Sequence, residues 1–149
     1  MMGTRSNDPK DMKILFVCEG NVNRSQMAGT LFKSLVPDSE VTTAGVFPER
    51  AGERLENVGR RAIELMKEIG FDMSANVISK LTPEMVGAAD KIILMGAIPG
   101  GPVPSYLKES PKLETWDVPD PGYGQISFAG ARDMVVEHVK QLAARLSTT

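Results

Sequence analysis

Short apolar runs and segments of helical period alternate along this chain. Lys13-Ile14-Leu15-Phe16-Val17-Cys18 is a continuous apolar run, the pattern of a strand covered on both faces. From Arg24 to Val36, Met27, Leu31, Phe32 and Leu35 recur at helical spacing, and Pro37 stops the segment. Glu40 to Ala44, with β-branched Val41, Thr42 and Thr43, predicts a second strand. Leu55 to Ile69 carries Val58, Ile63, Leu65, Met66 and Ile69 on an amphipathic helix closed by Gly70. Thr82-Pro83-Glu84 opens a short helix, with Thr82 as N-cap and Pro83 at the first helical position. Lys91 to Met95 predicts a third buried strand and Leu113 to Val118 a fourth. Between them Gly96 to Pro111, rich in glycine and proline, predicts a long loop of the kind that often carries function. Phe128 to Leu146 is the closing helix, with Met134, Val135, Val139 and Leu142 on one side.

Strands that alternate with helices predict one α/β domain, a parallel sheet with helices on both faces. At 149 residues the chain is long enough to bury a core of its own. Residues 1–11 are polar and predict a flexible leader ahead of a single domain over 12–149. That opening stretch lacks the apolar centre of a signal peptide, and no apolar run reaches membrane-spanning length. The expectation is a cytoplasmic protein with no membrane partner. A net charge of −2 offers no broad basic face, which argues against a nucleic-acid partner. One cysteine excludes an internal disulfide framework and a thiolate metal cluster. Neither a metal nor a cofactor is expected.

The chemistry concentrates where the first strand ends and the first long helix begins, in Cys18-Glu19-Gly20-Asn21-Val22-Asn23-Arg24-Ser25. Open α/β sheets bind ligands at the carboxyl ends of their strands, and a helix N-terminus favours anions. Gly20 lets the backbone approach a ligand closely or take positive φ. Asn21 tolerates left-handed geometry. Successive amides then form a nest for a tetrahedral oxyanion with Cys18 at its floor. A thiolate is the reactive form of cysteine, and a helix N-terminus with a nearby cation favours it. Arg24 supplies that cation and can grip two oxygens at once. Ser25 can donate its hydroxyl to the sulfur and help to cap the helix. Taken alone, a cysteine ending an apolar strand is often a small buried hydrophobe. The combination of strand, Cys, Gly-Asn, Arg-Ser and amphipathic helix points instead to a nucleophile.

The segment ILFVCEGNVNRSQMA resembles the signature of the low-molecular-weight protein tyrosine phosphatases and the related arsenate reductases. The resemblance runs through nearly the whole chain after the leader. Thr43-Ala44-Gly45 is similar to the family's Ser-Ala-Gly after its second strand. Phe71 to Ser74, Leu81 to Met85 and Asp90 to Met95 resemble its middle section, and Trp116-Asp117-Val118-Pro119-Asp120-Pro121 resembles the loop of its general acid. The resemblance implies a four-stranded parallel sheet of order 2-1-3-4 flanked by helices. It implies that Cys18 attacks phosphorus, that Asp120 protonates the leaving oxygen and later activates water, and that Arg24 and the loop amides hold the equatorial oxygens. Asp117 is the second choice for the acid, and either aspartate is also a common turn former beside proline. The substrates implied are phosphorylated proteins, phosphotyrosine above all, or small phosphate esters.

Four departures from the family pattern bear on the reaction. Asn23 stands where eukaryotic relatives carry a second loop cysteine, so Cys18 has no disulfide partner in the loop. Ala75 and Asn76 replace a histidine often found after Met-Ser, which predicts a missing part of the loop's bracing. Gly96-Ala97 follows Met95 in place of the phosphatase-type Asp and Asn. Met95-Gly96, with Gln26-Met27-Ala28, resembles the arsenate reductase branch, yet Ala97 to Tyr106 contains no cysteine for an internal relay. Arsenate reduction therefore requires an external small thiol, whereas ester hydrolysis requires nothing more. Phosphatase is the first expectation and external-thiol arsenate reductase the alternative. Tyr123 and Phe47 are candidates to wall a slot for a phosphotyrosine ring, or are ordinary packing. Glu19 puts negative charge at the mouth. His138 and Arg60-Arg61 read as solvated helix surface, the methionines as core, and the Gly96–Pro111 loop as a partner or substrate surface.

Overall fold

The computed structural model describes residues 12–96 and 98–147. The expected leader, residues 1–11, lies outside the described residues. Four strands, β1 (Lys13–Cys18), β2 (Glu40–Gly45), β3 (Lys91–Leu94) and β4 (Leu113–Thr115), form one parallel sheet in the order β2-β1-β3-β4. Among the described residues five α-helices flank it: α1 (Arg24–Leu35), α2 (Arg60–Lys67), α3 (Pro83–Ala88), α4 (Ser105–Lys108) and α5 (Phe128–Ser147). The architecture is the expected three-layer α/β domain with the expected strand order.

Strand β1 shows why an unbroken apolar run was needed. Ile14, Phe16 and Cys18 point into a core shared with α1, α2 and α5, while Leu15 and Val17 point into a second core on the opposite face. A strand in the middle of a parallel sheet has no wet face, so both alternating sets must be apolar. Phe16 joins the aromatic cluster of the first core, its ring 6.1 Å from Phe32 and 5.8 Å from Trp116.

The helix expected over Leu55–Ile69 is split into a 3-10 turn at Leu55–Asn57 and α2. Gly59 stands at the break, where a Cβ would lie 2.8 Å from Leu55 and 3.0 Å from Val22. The break thus lets the backbone pack closely against Leu55 and against Val22 of the cysteine loop. The expected N-cap holds: Thr82 accepts the Met85 N–H at 3.2 Å, with Pro83 first in α3. Strand β4 stops at Thr115, three residues short of the expectation, because the Val118 N–H turns back to the Trp116 carbonyl. The Gly96–Pro111 stretch is not wholly loop: Pro104 precedes the single-turn helix α4, which buries Leu107. His138 is not free helix surface either. It is half-buried and stacks on Trp116 with ring centroids 4.9 Å apart. No helix among the described residues is long and apolar enough to cross a membrane.

Candidate active site

The cysteine loop occupies the carboxyl end of β1, between the ends of β2 and β3. It is fastened to β2 by backbone bonds: Val46 N–H donates to the Cys18 carbonyl at 3.0 Å and Phe47 N–H to the Glu19 carbonyl at 2.8 Å. The approach leaves no room for a side chain at Gly45, whose Cβ would lie 2.8 Å from the Glu19 carbonyl oxygen. That contact is the physical reason for glycine in the Thr43-Ala44-Gly45 motif.

Within the loop the left-handed residue is Asn21, at φ 57°, and not Gly20. Asparagine accepts this region because its short amide can bond nearby backbone. Gly20 lines the pocket, and a Cβ there would meet nothing within 4 Å. Asn21 points its N–H at the Cys18 Sγ, 3.3 Å away. Its side-chain Nδ2 donates to Ser25 Oγ at 2.8 Å, and Ser25 Oγ lies 3.0 Å from Sγ. With a lone pair of the hydroxyl taken by Asn21, the Ser25 hydrogen is free to point at the sulfur. Ser25 does not cap α1. Asn23 is the N-cap and makes no side-chain capping bond, so the first-turn amides of α1 are left for a ligand.

The bracing behind the loop is built from amides. Gln26, 2% exposed, donates through Nε2 to the Asn21 carbonyl, to Asn21 Oδ1 and to the Val77 carbonyl, each at 3.1 Å. Asn76 donates to Gln26 Oε1 at 3.1 Å, and the Ser79 N–H donates to Asn21 Oδ1 at 2.8 Å. The expected gap at Ala75-Asn76 is thus filled: Asn76 holds Gln26, Gln26 holds Asn21, and Asn21 holds Ser25. Sequence reasoning missed this role of Gln26. Its place directly after the loop, beside the apolar Met27 and Ala28, was the available signal.

Arg24 is 1% exposed. Its Nη1 donates to the carbonyls of Met95 and Val118, the latter at 2.9 Å, and its Nη2 pairs with Asp120 Oδ2 at 3.3 Å. A buried guanidinium with carbonyl acceptors on one side and a carboxylate on the other is fixed in direction. Gly96, at φ 85°, makes the Met95 anchor possible, since a Cβ there would sit 2.6 Å from the Val118 carbonyl oxygen. Asp120 caps a 3-10 turn over Pro121–Tyr123, its Oδ1 accepting the Gly122 N–H at 2.8 Å. Asp117 is exposed and is not among the residues lining the pocket.

Cys18, Gly20, Asn23, Arg24 and Asp120 line one pocket of about 150 Å³, whose mouth is edged by Glu19, Phe47, Glu49 and Arg50. A thiol, a guanidinium and a carboxyl thus meet in one recess. Tyr123 is 53% exposed at the rim, and its hydroxyl donates to Glu19 Oε2 at 2.7 Å. That bond, with the negative charge of Glu19, raises the phenol above its ordinary value.

The family model described as low molecular weight phosphotyrosine protein phosphatase matches residues 13–149, and the chain belongs to that family. The protein-arginine-phosphatase of Bacillus subtilis is 33% identical over 150 residues, spanning 91% of this chain and 97% of its own. Arsenate reductase 2 of Staphylococcus haemolyticus is 28% identical, spanning 89% and 96%. Among solved structures, the YwlE arginine phosphatase from Geobacillus stearothermophilus superimposes with a TM-score of 0.73 at 30% identity, covering 92% of this chain and 94% of that one. An arsenate reductase in its phosphate-binding state gives a TM-score of 0.73 at 31% identity, covering 91% and 99%.

Proposed function

We propose that this protein hydrolyses phosphate monoesters, phosphotyrosine or small aryl phosphates, through a phosphocysteine on Cys18. The observation that carries the reading is the convergence of Cys18, Arg24 and Asp120 on one pocket, with the Ser25 hydroxyl on the sulfur. In the first step Sγ attacks phosphorus and the ester oxygen leaves with the proton of Asp120. In the second, water attacks the phosphocysteine, Asp120 takes its proton, and the sulfur departs as thiolate. Arg24 and the amides of Gly20 to Ser25 face the equatorial oxygens in both steps. The loop also fits phosphate-like oxyanions that do not react.

The test is turnover of p-nitrophenyl phosphate, with an optimum on the acid side, abolished in Cys18→Ser. Full activity in that variant would end the reading. The relative named protein-arginine-phosphatase makes phosphoarginine peptides part of the same substrate panel. The likeness to an arsenate reductase supports a second reading, in which the same pocket takes arsenate and an external small thiol resolves the adduct on Cys18. It is tested in the same preparation by arsenate-dependent consumption of several small thiols, and no consumption with any of them removes it.

A further inference from the structure

Glu19 follows the nucleophile directly, and its carboxylate is bonded by two distant loops. Oε1 accepts the Gly100 N–H at 2.8 Å, and Oε2 accepts the Tyr123 hydroxyl at 2.7 Å. The cysteine loop, the glycine-rich stretch after β3 and the acid-bearing loop after β4 therefore meet at one anionic group on the pocket mouth. Hydrogen bonds to a carboxylate are stronger than neutral ones, so this junction outweighs an ordinary surface contact.

The neighbouring glycine backs a second aromatic. A Cβ on Gly101 would lie 3.2 Å from Phe47 Cζ, so the backbone there packs against a ring that lines the pocket. A Cβ on Gly100 would lie 3.2 Å from the Glu19 carboxylate carbon. Consecutive residues thus support both aromatic groups of the rim: Gly101 touches Phe47 directly, and Gly100 reaches Tyr123 through Glu19. Phe47 is 40% exposed and Tyr123 53%, more than their burial in a core would leave, so each has a free surface to offer.

We propose that Glu19 is a latch, a positioning residue that fixes Tyr123 and the Gly100-Gly101 backbone so that the oxyanion pocket opens into a slot of set width for a flat aryl group. The inference rests on the phosphatase reading of Cys18 and adds what selects the substrate. Glu19 acts through Tyr123 and does not touch the phosphoryl group. Its loss must therefore weaken binding of the aryl part more than binding of the anion.

The test compares KM for p-nitrophenyl phosphate with the inhibition constant of inorganic phosphate, which fills the nest alone. Glu19→Ala is expected to raise KM about tenfold, the scale of one charge-assisted hydrogen bond, while phosphate inhibition weakens much less. Tyr123→Phe raises KM as well, and the double variant is no worse than Glu19→Ala alone, because both changes break one contact. Glu19→Gln recovers part of the loss, since its amide oxygen still accepts. Hydrogen exchange at the Gly100 amide quickens in Glu19→Ala and stays slow in Tyr123→Phe. Additive effects of Glu19→Ala and Tyr123→Phe, parallel loss of KM and phosphate inhibition, or unchanged Gly100 exchange would each overturn the latch. A wild-type protein that turns over no ester would overturn the phosphatase reading instead, and Gly100 exchange would still decide the latch.

Discussion

Arg24 and Asp120 stand 3.3 Å apart across the pocket although 96 residues separate them in the chain. Only one carboxylate oxygen, Oδ2, faces the guanidinium, while Oδ1 is held by the Gly122 N–H. The acid is therefore oriented by its own turn as well as by its ion pair. Asp120→Asn is expected to lower kcat by about 10²- to 10⁴-fold, the usual scale of general acid catalysis. The loss should grow with the pKa of the leaving phenol, which a series of aryl phosphates measures. An equal loss across the series would remove Asp120 from the acid role.

Ser25 gives a second measurable consequence. Its hydroxyl is positioned on Cys18 Sγ by Asn21 and is placed to donate to the sulfur. In Ser25→Ala the alkylation of Cys18 by iodoacetamide at neutral pH should slow by about tenfold, as the loss of one bond to a charged group implies. Mass spectrometry reads the reaction without interference, because the chain has one thiol.

The amide chain behind the loop separates stability from chemistry. Gln26→Leu leaves the Asn21 and Val77 carbonyls without this donor, while Asn21 Oδ1 keeps the Ser79 N–H, and the loss costs about 1–3 kcal/mol. Asn76→Ala removes only the outermost link and should cost about 1 kcal/mol or less. Urea denaturation orders the two. Phosphate affinity should fall in the same order, since Asn21 can hold φ 57° only while its amide is tied down.

Acid should loosen the far edge of the sheet. Burial alone would raise the Glu114 carboxyl, but hydrogen bonds from Lys91, Trp116 and Arg145 hold it at about 2, below the ordinary 4.5. A carboxyl depressed by folding adds stability that is fully present above about pH 4.5 and is lost as pH falls toward 2. Glu114→Gln should therefore melt below the wild type at pH 7, and the gap in Tm should close through that window. A gap independent of pH would mean that packing, not charge, holds the group.

The elements that the sequence made legible are those with a strong local signal. Lys13–Cys18 is buried on both faces as its apolar run requires, and the Thr82-Pro83 helix start is where capping chemistry puts it. Strand order came from family resemblance, since neither composition nor period fixes which strand lies beside which. Three features were out of reach for a common reason: they depend on partners far along the chain. The break at Gly59 answers to Val22, the stacking of His138 to Trp116, and the bracing by Asn76 to Gln26. A short motif marks the cysteine, the arginine and the aspartate, and the structure brings the three to one pocket. The bonds of Glu19 to Gly100 and Tyr123 were not legible, because no local pattern announces contacts 81 and 104 residues away.

The order of the strands also sets a sequence of events for a chain recovering from denaturant. The cysteine loop, formed by β1 and the start of α1, takes its braces from Val46 and Phe47 and from Asn76 to Ser79, all ahead of β3 in the chain, whereas Asp120 arrives only when the three-residue β4 docks on β3 at the sheet's margin. Parallel pairings between remote segments form late, after the entropy of closing long loops has been overcome. Refolding protein should accordingly regain its grip on phosphate before it regains turnover, with the interval marking the arrival of its last strand.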